Sequence, residues 1–176
     1  MGKARTSDPN EAVGASLEHS YDWVAVPEEH TFDGTYGFTL WKPDPTSPQH
    51  PESGSPAMRV ALAPDLRPEQ IEATVQDQLN AYPYLPMSRG EVSVGEGRLK
   101  GVTVGPKPGS APSTEVYVPV AGERVYRINV YGEQLDEEDE ELLSSLEFGP
   151  PSQRVDSLEL LDANAPEELY AEGDPE

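Results

Sequence analysis

The chain has 176 residues, a formal net charge of −21 and no cysteine. The negative charge argues against nucleic acid and anionic membrane surfaces as partners, because both would repel the chain. The absence of cysteine excludes disulfides, thiolate metal sites and thiol nucleophiles. No apolar run approaches the roughly 20 residues of a membrane helix, and residues 1–15 contain no apolar signal region. The sequence therefore predicts no direct membrane insertion and contains no recognisable export signal, and removal of a leader stays an open alternative.

Residues 1–33 mix Ser, Asp, Pro and Glu with scattered apolar residues and show no period. This composition predicts a flexible N-terminal segment that is mostly disordered. A short apolar group is the exception, and we expect it to lie against the folded domain as an arm, with docking to a partner as the alternative. The group consists of Tyr21, Trp23, Val24 and Val26.

Two strands are predicted next, because apolar residues alternate along 34–42 and again along 58–63. The loop between them, 43–56, is rich in proline and serine, which predicts an exposed excursion. Its one residue with special chemistry is His50.

The first helix is predicted from an apolar stripe with Ile71, Val75 and Leu79, and Pro68 suits its first position. It ends before a connector, 82–89, that is rigid and aromatic. This connector is the most binding-like short segment of the chain, although a lid over one end of the core is the favoured interpretation.

Two hairpins are predicted after the connector, since pairs of alternating runs are separated by short turns that contain glycine. The first pairs 91–94 with 99–104 through a turn at 95–97, and the second pairs 114–120 with 124–131.

The last helix is predicted from Asp136, a good N-cap, and from the stripe of Leu142, Leu143 and Leu146. We expect this stripe to pack on the apolar face of the preceding hairpin. In that hairpin Pro119 has no N–H to donate, so one side of its strand should be unpaired or bulged there.

The order of these elements predicts a single α+β domain over 34–150, followed by an acidic C-terminal tail or linker over 151–176. Strands joined by tight turns make an antiparallel sheet, here of about six strands, and amphipathic helices must cover its apolar faces. Two main helices are available for this purpose.

The opening strand at 36–40 (YGFTL), the meander ending in 125–128 (VYRI) and the closing run 142–148 (LLSSLEF) resemble the PsbP-like superfamily. This group includes the Mog-type Ran-binding proteins and many bacterial envelope lipoproteins. The resemblance covers 34–148 and implies a central antiparallel sheet sandwiched by helices. It also implies a function in binding other macromolecules instead of catalysis. The chain departs from it in lacking a lipoprotein cysteine and in the long loop 43–56, so lipid anchoring is not expected.

No catalytic constellation is indicated by the sequence. A serine hydrolase needs a nucleophile on a strained turn, yet no GxSxG occurs, and His19, His30 and His50 all lie in segments predicted to be mobile. His30 follows Glu28 and Glu29, but neighbours on an extended chain point in opposite directions. The acidic run 136–141 lacks the spacing of a calcium loop. We therefore predict no enzyme activity, no metal and no cofactor, with a pair of glycosidase-like carboxylates left open.

Six residues form the candidate partner-binding set. Two are tyrosines of the connector, and four are basic residues that flank or lie within the first hairpin. The basic residues form either a patch for an acidic partner or ordinary ion pairs with nearby carboxylates, and ion pairs are the default. The set is Tyr82, Tyr84, Arg89, Arg98, Lys100 and Lys107.

The sequence therefore predicts a non-enzymatic, extracytoplasmic domain that binds a protein partner. This interpretation depends on the resemblance, the absence of cysteine and the flexible acidic ends. Two alternatives stay open. One is an accessory N-terminal module of a larger secreted cell-wall hydrolase, suggested by the linker-like end of the chain. The other is an intracellular partner-binding protein like the Mog-type branch. The identity of the partner and the oligomeric state are not predicted.

Overall fold

The structure is a computed structural model that describes residues 3–6, 14–20, 23–30, 35–44, 46, 54–96, 98–109, 111–120 and 123–148. The acidic tail predicted over 151–176 and the loop residue His50 lie outside these ranges. No helix of the described part is long and apolar enough to cross a membrane.

Within the described ranges the chain forms ten strands and two helices. The strands are β1 (Lys3–Thr6), β2 (Ala15–Ser20), β3 (Val24–His30), β4 (Thr35–Lys42), β5 (Ser55–Leu62), β6 (Ser88–Val94), β7 (Leu99–Lys107), β8 (Ser113–Val120), β9 (Arg124–Tyr131) and β10 (Glu147–Phe148). The helices are α1 (Ile71–Ala81), which follows a 3₁₀ turn at Pro68–Gln70, and α2 (Glu137–Ser145).

Seven strands form one antiparallel sheet in the order β3-β4-β5-β9-β8-β7-β6, and the other three form a small sheet in the order β1-β2-β10. The predicted α+β class with an antiparallel sheet is therefore confirmed. Both predicted hairpins are present, with Val94 opposite Leu99 in β6–β7 and Val120 opposite Arg124 in β8–β9.

Three strands lie in the segment for which the sequence predicts disorder, and this is a difference from the prediction. Of the apolar group expected to lie against the domain, Trp23 packs against the core and Val24 and Val26 belong to β3, while residue 21 lies outside the described ranges. One of the three strands, β3, is the seventh strand of the main sheet and pairs with β4 from Val24 opposite Trp41 to His30 opposite Thr35. Because β3 lies at the edge of the sheet, its backbone pairs with one neighbouring strand. Among its side chains, Ala25 packs against the core. An edge strand with so little apolar surface leaves no clear period in the sequence.

The strand β2 is missed for a related reason. Its inward positions are Ala15, Leu17 and His19, which are 2%, 0% and 7% exposed. Because one of these residues is small and another is polar, the alternation is hidden from a hydrophobicity pattern. The domain limits drawn from the sequence, 1–33, 34–150 and 151–176, stay a prediction.

One face of the main sheet packs against α2 and β2. Leu142, Leu143 and Leu146 are at most 5% exposed and share a core cluster with residues of β8 and β9, as their stripe predicts. The helix begins after Asp136, also as predicted: Asp136 Oδ1 accepts the N–H of Asp139 at 2.9 Å, and Asp139 Oδ2 accepts the N–H of Asp136 at 3.1 Å.

The other face of the sheet packs against α1. The helix lies over the β7–β8–β9 part of the sheet, and its buried residues form a second, smaller cluster there. The two helices therefore lie on opposite faces of the sheet. The second cluster contains Ile71, Val75, Val102, Val104, Tyr117 and Val125.

Candidate interaction groove

The candidate partner-binding residues do not form one patch, because most of them lie in two groups at opposite ends of β7. Tyr82 and Lys107 meet at one end of the strand, where the Lys107 Nζ lies 5.0 Å from the centre of the Tyr82 ring. Tyr84 follows in the connector and is 79% exposed. Arg98 and Lys100 lie at the other end of β7, about 25 Å away by strand length.

Arg89 connects β6 to α1 through ion pairs. Its guanidinium donates to Glu72 of α1 at 2.6 and 2.9 Å and to Glu91 at 3.1 Å. Lys100 Nζ lies 3.4 Å from the other oxygen of Glu91. The hydrogen bonds from Arg89 hold the pKa of both carboxyls below its usual value. For Arg89 and Lys100 the structure thus shows ion pairs with nearby carboxylates, which the sequence treats as the default.

Arg98 lies in the turn between β6 and β7 and reaches solvent. Its Nε donates to the carbonyl of Gly95 at 3.2 Å, and its Nη2 lies 3.8 Å from Glu96 Oε1. The side chains of Arg98 and Glu96 are 68% and 71% exposed, so this pair is weak and leaves the guanidinium accessible to another anion.

The same turn is attached to the end of α2. The N–H of Gly95 donates to the Leu143 carbonyl at 3.0 Å, and the N–H of Glu96 donates to the Ser144 carbonyl at 2.7 Å. Both carbonyls belong to the last turn of α2, where Leu143 also accepts the N–H of Leu146 at 3.3 Å. The hairpin tip and the end of α2 therefore hold one another in place.

A groove opens beside this tip because β7 and β8 separate there. Along the core, β8 pairs with β7 up to Tyr117, which lies opposite Val102. Beyond this point β7 continues to Leu99 along β6, while β8 continues to Val120 along β9. Pro119 lies in the stretch of β8 without a partner in β7, in agreement with the interruption that the sequence predicts.

Two adjoining cavities make up this feature, which we call the hairpin groove. The first has a volume of 460 Å³ and lies between the hairpin tip, the facing ends of β8 and β9, and β10. The second, of 390 Å³, crosses the edge strand β6. Arg98 and Leu99 line both. The other lining residues are Gly95, Val120, Arg124, Leu146, Glu147 and Phe148 in the first cavity and Glu91, Val92, Ser93 and Lys100 in the second.

The first cavity combines apolar walls with two guanidinium groups and one carboxylate, that of Glu147. Phe148 lies with its ring centre 4.5 Å from that of the buried Tyr126, which fixes the aromatic wall. Arg124 donates from Nη1 to the Tyr126 hydroxyl at 2.9 Å and holds its guanidinium carbon 5.8 Å from the same ring. An apolar group with an adjacent carboxylate fits such a lining, because guanidinium groups bind carboxylates through charge-assisted hydrogen bonds.

The histidines considered as catalytic groups are placed as follows. His19 is on β2 and is 7% exposed, which differs from the predicted mobile segment. His30 is the last residue of β3, and its side chain lies outside the described part of the chain, as does the whole of His50. Among described residues no group of three or more His, Asp or Glu side chains is arranged to hold a metal ion.

Of the residues that line the groove, Arg98 and Lys100 belong to the candidate set predicted from the sequence, and the others do not. Val120, Arg124 and Phe148 come from the end of β8, the start of β9 and β10. Val120 and Arg124 lie opposite each other in the predicted β8–β9 hairpin, but only the tertiary fold brings them next to Arg98 and Phe148. The interruption at Pro119 is the one local signal that pointed to this place.

The described architecture thus defines an α+β protein with helices on both faces of an antiparallel sheet and a groove at its edge. No protein-family model matches the chain. A search of curated proteins likewise finds no match.

Proposed function

We propose that the chain is a non-enzymatic domain that binds a protein partner through the hairpin groove. One observation carries this proposal: Leu99, Val120 and Phe148 give the groove apolar walls, and two arginines line the same cavity. An extended segment that inserts an apolar side chain and presents a carboxylate beside it would satisfy both features. The volumes of 460 and 390 Å³ lie in the range of about 300–1,000 Å³ that is usual for ligand sites.

The position of the groove at a sheet edge supports a peptide as the ligand. In the described part of the chain, β6 pairs with β7 alone, so its outer side has main-chain donors and acceptors available to an added strand. Charged side chains on an edge oppose indiscriminate strand pairing, and Arg89 and Glu91 supply such charges on β6, with Lys100 of the neighbouring β7 paired to Glu91. The edge therefore favours a partner segment whose charges match this pattern.

The fold family and the compartment are further parts of the proposal. The resemblance of 36–40, 125–128 and 142–148 to the PsbP-like superfamily leads us to a PsbP-like sandwich that works outside the cytoplasm. The helices on both faces of the sheet support the sandwich. Fractionation of the source cells tests the compartment: detection in the envelope or the medium supports it, and detection in the cytosol alone contradicts it.

Selection from a displayed peptide library tests the proposed groove. The wild-type chain should enrich peptides with an apolar residue next to an acidic one. Binding of these peptides should fall about tenfold or more in Arg98→Glu, because the charge reversal repels the carboxylate. Lys107→Glu makes the same change of charge at the far end of β7 and should bind as the wild type does. Peptides that bind Arg98→Glu as tightly as the wild type would contradict the proposed site.

A further inference from the structure

A separate cavity of 260 Å³ lies between β2 and α2, and it shares no lining residue with the hairpin groove. We call it the Trp23 pocket. Its lining combines an aromatic ring with several carboxylates. The lining residues are Glu18, His19, Trp23, Glu137, Glu138, Glu141, Leu142 and Ser145.

A cation of the chain itself lies against this aromatic wall. Lys42 Nζ is 5.1 Å from the centre of the Trp23 ring and 3.7 Å from Glu138 Oε1. An ammonium group this close to the face of a tryptophan is attracted by the negative face of the ring. The side chains of Lys42 and Glu138 are 45% and 57% exposed, so the ammonium group is exchangeable with one from outside.

A hydrogen bond joins the two elements that form the walls of the pocket, and a second bond within α2 extends it. The N–H of Glu18 in β2 donates to Ser145 Oγ in α2 at 2.9 Å, and that hydroxyl donates to the Leu142 carbonyl at 2.8 Å. Trp23 is partly buried and packs against the main core. A fixed ring and a fixed helix face give a bound cation a preformed site, which lowers the entropy cost of binding.

We propose that the Trp23 pocket binds a lysine or arginine side chain from a basic segment of a partner protein, which displaces Lys42 from the ring. The carboxylates alone would be an ordinary solvated helix face. The ring of Trp23, with an ammonium group already against it, is what makes the pocket specific for a cation. This inference does not depend on the hairpin groove.

The charge of the whole chain favours the same partner. A net charge of −21 attracts a basic segment at long range and speeds its association. The pocket adds local carboxylates at Glu137, Glu138 and Glu141 on the face of α2. Long-range attraction brings the segment to the chain, and the pocket then selects one cationic side chain.

Titration of the full chain with a labelled peptide of two lysines among glycines (GGKGGKGG) tests the proposal. Lys42→Gln should bind the peptide about 3–10 times more tightly, because it removes the competing ammonium group. Lys100→Gln, with the same change of net charge outside the pocket, is the control and should gain much less. Trp23→Leu should weaken binding about 3–10 fold, since leucine keeps the apolar packing without the aromatic face.

A second pair of variants separates the pocket from general electrostatics. Glu138→Gln should weaken binding more than Glu133→Gln, although both are exposed and both remove one negative charge. Equal losses in the two, or no gain in Lys42→Gln, would overturn the proposal. Tetramethylammonium that displaces the labelled peptide as strongly as unlabelled peptide does would also overturn the proposal, because the pocket would then be a site for small cations. Loss of binding when salt rises from about 20 to about 200 mM is expected.

Discussion

Asp139 is 9% exposed in the first turn of α2. Burial raises the pKa of its carboxyl to about 6, and the adjacent charge of Asp136 adds to the rise. The folded state therefore holds this proton more tightly than the unfolded chain, where the pKa is 3.8. The stability that the proton provides is fully present below pH about 4 and is lost as pH rises through about 6. Asp136 acts in the opposite direction, because hydrogen bonding to the N–H of Asp139 lowers its pKa.

Asp139→Asn should raise the free energy of unfolding at pH 7 by about 1–2 kcal/mol, because the amide carries no charge to be buried. The gain is partly offset, since a favourable negative charge in the first helical turn is also lost. The amide oxygen can still accept the N–H of Asp136, so the cap is kept. Urea unfolding at pH 4 and pH 7 measures the effect. From pH 4 to pH 7 the free energy of unfolding should fall less in the variant than in the wild type. Glu140→Gln, next in the chain and exposed, is the control. A less stable variant at pH 7 would contradict this account.

At the scale of elements, the attachment of the β6–β7 turn to α2 positions the hairpin groove. Gly95 and Glu96 have φ values of +66° and +60° in this turn, a region that glycine adopts without strain and glutamate does not. A Cβ at Gly95 would lie 3.2 Å from the Leu146 carbonyl oxygen. The turn therefore needs glycine at this position both for its backbone and for its contact with the end of the helix.

Gly95→Ala should lower the free energy of unfolding by about 1–2 kcal/mol and loosen the end of α2. In this variant the amide hydrogens at positions 95 and 96 should exchange faster, because these N–H groups donate to the Leu143 and Ser144 carbonyls. Glu96→Asn is the matched substitution and should cost nothing, since asparagine tolerates positive φ. Unchanged stability in Gly95→Ala would refute the role given to this contact.

The elements that the sequence predicted are those whose signals are local. The helix α2 was predicted from a cap and a stripe, and the β6–β7 hairpin from two short runs around glycines. The strand β2 was missed because it pairs with β10, which is distant in the sequence, and β3 was missed because an edge strand with little apolar surface has no clear period, although it pairs with the next strand, β4. The hairpin groove itself was not predicted: the sequence names Arg98 as a candidate partner-binding residue, while Arg124 and Phe148 join it through tertiary contacts.

The net charge of −21 affects the stability of the folded chain as well as its attraction to partners. Acidic and basic residues total 33 and 12, so most carboxylates have no basic counterpart and repel one another. Ion pairs such as Arg89–Glu72 relieve this repulsion locally. The compact state should therefore gain stability when the charges are screened.

Raising NaCl from about 50 to about 500 mM at pH 7 should increase the melting temperature by about 2–5 °C, because salt screens the repulsion between like charges. Calorimetry measures the change. The same increase in salt near the sequence pI of about 4.3 should have little effect, because the net charge is then close to zero. A melting temperature that falls with salt at pH 7 would show that specific ion pairs outweigh the overall repulsion.

Photo-crosslinking in the source cells tests whether the hairpin groove binds a protein partner. A photoreactive residue replaces Ser93, which is exposed in the groove, or Ala73, which is exposed on α1 and outside it. We predict a discrete protein adduct from position 93 that is absent from position 73 and is lost when Arg98→Glu is added. No adduct from position 93, or equal adducts from both positions, would contradict the proposed binding.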